Sequence, residues 1–282
     1  MHDIHNDFEI ENILEENRKR HEIINAPYNP VTGLGAVGER KKISIKDSPI
    51  GDMYLPVELI KENLFIRRLA KYGFKGYIIR FIKEVEYSEE ALNQLWIEFI
   101  KYRIIYDFEY WAYSFIFIKD KVSPKDIPFK LNRAQRRVLN KLEKLRKAGK
   151  PIKFILLKAR QWGGSTLVQI YMLWIMLVHR RNWNTVICGD VETQSRNVRA
   201  MITKALNKYP SYLLGETVKF TPFEGSSKNK VIQNTNCVVS IGSFQKPDTL
   251  RSGDISGAHL TEIGLWRATP GKKPEDLIQS IS

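Results

Sequence analysis

The residues best placed to do chemistry form one short run, Lys158-Ala159-Arg160-Gln161-Trp162-Gly163-Gly164-Ser165-Thr166. The apolar run Phe154–Leu157 before it reads as a buried strand, and Leu167–Val178 after it reads as an apolar helix. A strand, a tight loop and a helix in that order present backbone N–H groups and a helix N-terminus to a phosphate chain. The common spacing G-x-x-x-x-G-K-[ST] would put lysine where Gly164 stands. Lys158 or Arg160 can supply that cation instead, because a phosphate needs positive charge within reach and not at one sequence position. Ser165 or Thr166 then offers a hydroxyl to Mg²⁺. Taken alone, two glycines after a strand are equally a tight turn.

A second chemical residue stands far downstream. Glu262 follows the strand-like Gly257–Leu260 and sits among apolar neighbours, Ala258–Leu260 before it and Ile263–Trp266 after it. Parallel α/β sheets bind ligands beyond the carboxyl ends of their strands. Lys158 and Glu262 both fall at such an end, which makes Glu262 the candidate carboxylate to orient an attacking water. The structural alternative is a surface or capping acid. His259 reads as a satisfied core histidine. Arg251, in Asp248–Gly253, reads as a phosphate or DNA contact or as part of a solvated turn.

These groups need a scaffold, and the pattern supplies one. Strand-like runs recur at Thr185–Cys188, Thr217–Phe220, Asn236–Ile241 and Gly257–Leu260, and helices are expected over Leu167–Val178 and Ser195–Tyr209. That alternation predicts an α/β fold with a mostly parallel sheet flanked by helices. Residues 1–22 read as a frayed helix or tail. Asn25–Pro49, with Pro27, Pro30, Gly33, Gly35 and Gly38, reads as extended or loop. From Leu55 to Tyr113 apolar residues recur at helical spacing, with Ser88-Glu89-Glu90 starting one helix. The aromatic run Phe108–Phe117 reads as packed core, and Val122–Phe129 as a linker. The expected organisation is a polar tail and extended segment (1–50), a helical subdomain (51–122) and a P-loop core (123–282).

The 282 residues carry 45 Lys+Arg against 31 Asp+Glu, a net charge of +14 and a pI near 9.6. Such an excess points to a polyanion, nucleic acid before an anionic membrane. It is concentrated between Lys119 and Lys150, where Ala134–Lys147 has helical spacing. Its basic residues, among them Arg133, Arg136, Arg137 and Lys141, read as a solvated face or as a phosphate or DNA contact. Cys188 and Cys237 lie in apolar runs without a spacing motif, which suits two buried thiols and not a disulfide framework or a zinc site. The acidic start, residues 1–16, lacks the apolar core of a signal peptide. Leu167–Val178 is too short to span a bilayer. These features place the chain as a soluble, cytoplasmic protein.

The loop K-A-R-Q-W-G-G-S-T resembles the deviant Walker A motif of phage and prophage terminase large subunits, the ATP-driven motors that package DNA, in which the lysine is displaced to the front. Phe129–Gln135 is similar to that family's adenine-recognition segment, with Gln135 as the base reader. Val186–Asp190 followed by Glu192–Ser195 is similar to the strand and helix start after the first βα unit. Ala258–Trp266 is similar to the Walker B region. Together these cover about residues 125–270. The resemblance implies ATP and Mg²⁺ as cofactors, held by Lys158, Ala159, Gln161, Gly163, Gly164, Ser165 and Thr166. Ser165 is the implied Mg²⁺ ligand, Glu262 the catalytic carboxylate and Arg160 the stabilising arginine. It implies double-stranded DNA, a portal protein and a terminase small subunit as partners, a homo-oligomeric ring, no membrane, and a host cytoplasmic location. Two departures stand out. Thr261 occupies the place of the usual Walker B aspartate, and the sequence ends at Ser282, before the coupling motif and nuclease half, as a truncated or split form would. Two other classes fit in part: a helicase-type P-loop translocase, and a DNA-binding remnant that hydrolyses nothing.

Overall fold

The computed structural model describes residues 4–281 apart from 36–37, 83–86, 121, 158–161 and 247–253. Helix α1 (Ile4–Asn25) is followed by a hairpin of β1 (Arg40–Ser44) and β2 (Asp52–Pro56). Sequence periodicity misses β1 because Ile43 is the one apolar residue of its Arg-Lys-Lys-Ile-Ser, and the strand is specified by its pairing with β2, whose Met53 and Leu55 are fully buried. Helices α2 (Val57–Glu62), α3 (Leu64–Phe81), α4 (Glu89–Tyr106) and α5 (Phe108–Phe115) occupy the region of expected helical spacing. Ser88 does start one of them: its hydroxyl accepts from the Ala91 N–H at 3.1 Å, with Glu89 and Glu90 in the first turn of α4.

The chain divides into two compact units, Met1–Tyr110 and Trp111–Ser282. The first buries Leu59, Ile66, Leu69, Phe74 and Ile78, and Phe74 lies against the stacked rings of Trp96 and Phe99, whose centres are 4.9 Å apart. It also buries charge. Arg40 grips Asp107 with two bonds of 2.9 and 2.8 Å, and Arg103 Nε donates to the same carboxylate at 3.1 Å. Arg103 is fully buried, its guanidinium 3.9 Å from the Tyr110 ring centre. Burial alone would raise the Asp107 carboxyl, but the two guanidinium groups hold it at about 2.

The second unit begins in the aromatic run. That run is core, with Trp111 fully buried and its Nε1 donating to the Tyr209 hydroxyl at 2.9 Å. The expected linker is partly a hairpin of β3 (Phe117–Lys119) and β4 (Asp126–Pro128). Then come α6 (Arg133–Lys147), α7 (Gly164–Trp174) continued by a π-helical turn (Ile175–His179), β5 (Asn184–Gly189), α8 (Glu192–Leu206), β6 (Phe220–Phe223), β7 (Ser226–Ile232), β8 (Cys237–Ser243), β9 (Gly257–Leu260) and α9 (Pro274–Ile281). The sheet order is β6-β7-β8-β5-β9. Strand β5 pairs parallel with β8 and β9, whereas β6 with β7 and β7 with β8 are antiparallel. The sheet is therefore mixed, not mostly parallel. What the periodicity missed is β7, Ser-Ser-Lys-Asn-Lys-Val-Ile, whose polar first half carries no apolar signal. Its hairpin with β6 turns through Glu224 and Gly225, at φ 48° and 74°, the sign that two-residue primed turns require.

Residues 151–157 overturn the opening expectation. They are not a strand, and Ile155 and Leu157 are 94% and 99% exposed. An apolar run forms a buried strand only with a neighbour to complete its ladder, and this one pairs with nothing among the described residues. Cys188 and Cys237 are buried free thiols, and burial pushes the Cys188 thiol up to about 12. Among the described residues no helix is long and apolar enough to cross a membrane.

Candidate phosphate site at the carboxyl ends of the parallel strands

The site is built from the N-terminus of α7. Gly163 caps that helix in the left-handed region (φ 86°, ψ 23°), and a side chain there is excluded twice. The conformation disfavours L residues, and a Cβ would lie 2.7 Å from the Gln135 Nε2. Beyond Gly163 the helix opens with Gly164, Ser165 and Thr166, so its first N–H groups lack intrahelical partners, as at any helix start. Together with the helix dipole they form a seat for an anion.

Where that seat faces follows from contacts along α7. The helix ends at His179 and β5 begins at Asn184, so the chain reverses over a few residues. Thr185 Oγ1, at the start of β5, lies 3.9 Å from Met176 Sδ, and Cys237 Sγ, at the start of β8, lies 3.7 Å from both the Met176 and Arg180 carbonyls. One helical stretch earlier, Gln169 Nε2 donates to His259 Nδ1 in β9 at 2.6 Å. The C-terminus of α7 thus lies at the amino ends of the strands, and its N-terminus points to their carboxyl ends. His259 is buried and bonded, as expected of a core histidine.

Glu262 stands at that same carboxyl end, two residues past β9. It is exposed, and its backbone is left-handed at φ 56°, ψ 38°, a strained conformation for a glutamate. Thr261, the residue before it, is buried, with its N–H donating to the Cys188 carbonyl at 2.8 Å. Among the described residues no group of three or more His, Cys, Asp and Glu could hold a metal. Side-chain oxygens at this end of the sheet include those of Ser165, Thr166 and Glu262, and of Asp190 just past β5; Mg²⁺ takes such oxygens together with waters and phosphate.

Gln135 is placed against the loop but with its amide already engaged. Its Oε1 accepts from the Asn132 N–H at 2.9 Å and its Nε2 donates to the Gly163 carbonyl at 2.9 Å. Asn132 returns the cap to the Gln135 N–H at 2.9 Å and donates Nδ2 to the Trp162 carbonyl at 3.0 Å. The expected base reader is, in this structure, the half of a capping box that fastens α6 to the glycine loop.

Further along α6, Glu143 accepts two bonds of 2.8 Å from Arg146 and one of 2.7 Å from the Tyr171 hydroxyl of α7. The outward face of α6 carries Arg133, Arg137, Lys141 and Lys144, whereas Arg136 is buried and leaves the expected basic face. Sequence reasoning named Ser195 only as part of a helix start. Its hydroxyl accepts from the Gly189 N–H at 2.7 Å and donates to the Gly242 carbonyl at 2.6 Å, tying the carboxyl ends of β5 and β8 together. Gln194 Oε1 accepts from the Asp190 N–H beside it at 3.0 Å. The Gly-Asp-x-x-x-Gln-Ser spacing carried that signal, since a hydroxyl in a first helical turn commonly bonds neighbouring backbone. Lys158, Ala159, Arg160 and Gln161, and the segment holding Arg251, lie outside the described residues.

No family model and no curated protein matches the sequence. The structure is similar to the crystal structure of the HK97 bacteriophage large terminase, with a TM-score of 0.44 and 18% identity, over 64% of this chain and 34% of that one. The chain spans about a third of the length of that protein.

Proposed function

We propose that this chain is the nucleotide-binding part of a DNA-packaging ATPase of the large-terminase kind, one that couples ATP hydrolysis to translocation of double-stranded DNA into a procapsid. The observation that carries the proposal is a convergence. A helix N-terminus opened by two glycines and a strained, exposed Glu262 lie at the same carboxyl end of the parallel strands. The N–H groups of Gly164, Ser165 and Thr166 would take phosphate oxygens, with Lys158 and Arg160 adding charge from the loop. Ser165 would place its hydroxyl on Mg²⁺, with Thr166 in support. Mg²⁺, when bound, neutralises charge developing on the transferred phosphoryl group. Glu262 would orient a water for attack. The outward cations of α6, Arg133, Arg137 and Lys141, suit a DNA backbone. Portal protein, terminase small subunit and a ring of copies belong to the same proposal.

A second reading has its own observation. Residues 151–157 lead into the loop without a sheet partner, which favours a chain that binds polyanions and hydrolyses nothing. Thermal unfolding with and without Mg²⁺-ATP separates the two. Ligand at 100 times its Kd stabilises the folded state by about 2.7 kcal/mol. The expected outcome is a shift of that order that vanishes in Lys158→Ala. A folded protein with no shift removes the ATPase proposal, and a shift unchanged in Lys158→Ala removes the displaced lysine from it.

A further inference from the structure

Helix α3 has a second face that the nucleotide site does not use. Its sequence carries Arg67, Arg68, Lys71, Lys75 and Arg80 and no acidic residue. The helix kinks at Gly73 (φ 73°, ψ 174°), where a Cβ would come within 2.9 Å of the Lys46 carbonyl, and the Phe74 N–H donates to that carbonyl at 3.0 Å. The kink is thus fastened to the loop of the β1–β2 hairpin. Ile66, Leu69, Phe74 and Ile78 go to the core. Beside them, Phe81 packs against Tyr72 and Tyr77, with ring centres 5.6 and 5.0 Å apart.

Cations lie on these rings. Arg68 is 4.6 Å from the Phe81 ring centre, and Arg80 and Lys71 are 4.7 and 5.1 Å from that of Tyr72. None of the three has a carboxylate partner among the described residues. Stacking a guanidinium on a ring fixes its plane while leaving N–H groups at its edge for a phosphate. The same face exposes the Phe81 ring, which is 38% accessible. Of the described acids, Asp47 acts on Lys75, and Glu98 acts on Tyr102, which also interacts with Tyr77.

We propose that this outer face of α3 binds single-stranded nucleic acid. Phosphates would take the N–H edges of Arg68 and Arg80, and unstacked bases would lie on the guanidinium planes and on Phe81. Duplex phosphates would satisfy the cations but leave the apolar surface uncovered, and it is this pairing of uncompensated charge with exposed rings that favours a single strand. The proposal does not depend on ATP binding.

The test uses the full chain, an end-labelled oligothymidylate, and the Arg68→Gln/Arg80→Gln double variant. The basic face of α6 can also bind the strand, so the contact is mapped by ultraviolet cross-linking and mass spectrometry of the peptides. Cross-links should fall on the peptide holding Tyr72–Phe81. The double variant should bind about tenfold more weakly, with a salt slope smaller by about 1.4 for two lost phosphate contacts. Phe81→Leu, which removes the exposed ring and leaves every cation in place, should weaken the single strand and spare a duplex of equal length. Cross-links confined to the α6 peptide, or unchanged affinity in a double variant that unfolds at the parent temperature, overturn the proposal. So does tight binding to phosphatidylserine vesicles that the double variant loses while oligothymidylate binding persists, since the face would then meet lipid.

Discussion

The seat at the head of α7 rests on one glycine, and replacing it tests the geometry quantitatively. In Gly163→Ala the backbone must hold φ 86° with a Cβ, which costs about 1–2 kcal/mol. The new methyl would stand 2.7 Å from the Gln135 Nε2, too close to coexist, so the carboxamide must leave. It gives up its bonds to the Gly163 carbonyl and the Asn132 N–H, each 2.9 Å and each contributing about 0.5–1.5 kcal/mol. The single variant should therefore lose about 2–5 kcal/mol. Gln135→Ala alone forfeits the same two bonds, about 1–3 kcal/mol. In the double variant those bonds are counted once and the clash is gone, so only the backbone strain is added. Urea unfolding of the four proteins should give a coupling of about 1–3 kcal/mol, with the double variant more stable than the summed losses imply. Losses that add to within about 0.5 kcal/mol would refute the proposed fastening of α6 to the loop.

Two further predictions rest on the buried charge and the strained acid. Asp107 has an ordinary value of 3.8 and is held at about 2, so its contribution is complete above about pH 4 and lost as the pH falls towards 2, about 2 kcal/mol in all. Asp107→Asn should cost about 3–5 kcal/mol at neutral pH, because Arg40 and Arg103 stay buried around a neutral group, and should flatten acid unfolding in that window; an unchanged pH profile argues against the ion cluster. Glu262→Gly should raise stability by about 1 kcal/mol by relieving the left-handed backbone, as read by thermal unfolding, and a loss of stability would mean that the carboxylate supports the fold and is not held there for chemistry.

Much of the second unit was legible because its signals are local. The strand Gly257–Leu260 stands at the predicted bounds, β5 and α8 lie within a few residues of theirs, and α6 and α7 follow their apolar spacing. The glycine pair announced a helix start, and the sequence around Ser195 announced another. What stayed hidden depends on partners distant in sequence. Strand β1 is mostly polar and exists because β2 completes it, and β7 begins with polar residues because its first half pairs near the sheet's edge. Arg136 has the same composition signal as Arg137, yet one helical step turns it inward. Gln135 was read as a ligand group, and its capping role follows only once the Gly163 carbonyl is known to face it.

Residues 151–157 mark where local signals stop deciding. Phe154-Ile155-Leu156-Leu157 carries the composition of a buried strand, and composition alone sets how much free energy burial would release. It does not provide a place to be buried. A strand gains its ladder only beside another edge, and among the described residues β9, the last strand in the sheet order, pairs with β5 alone. The loop's other flank has the opposite character. Gly163 is fixed by Gln135, Trp162 by Asn132, and α7 by His259, Glu143 and the start of β5, so the anion seat is organised from its helix side independently of how the chain arrives. That asymmetry makes the thermal shift with Mg²⁺-ATP informative in both directions. A seat built from the helix N-terminus binds with its residual affinity whatever the state of residues 151–157, whereas a seat that also needs Lys158 loses its ligand when that lysine is removed.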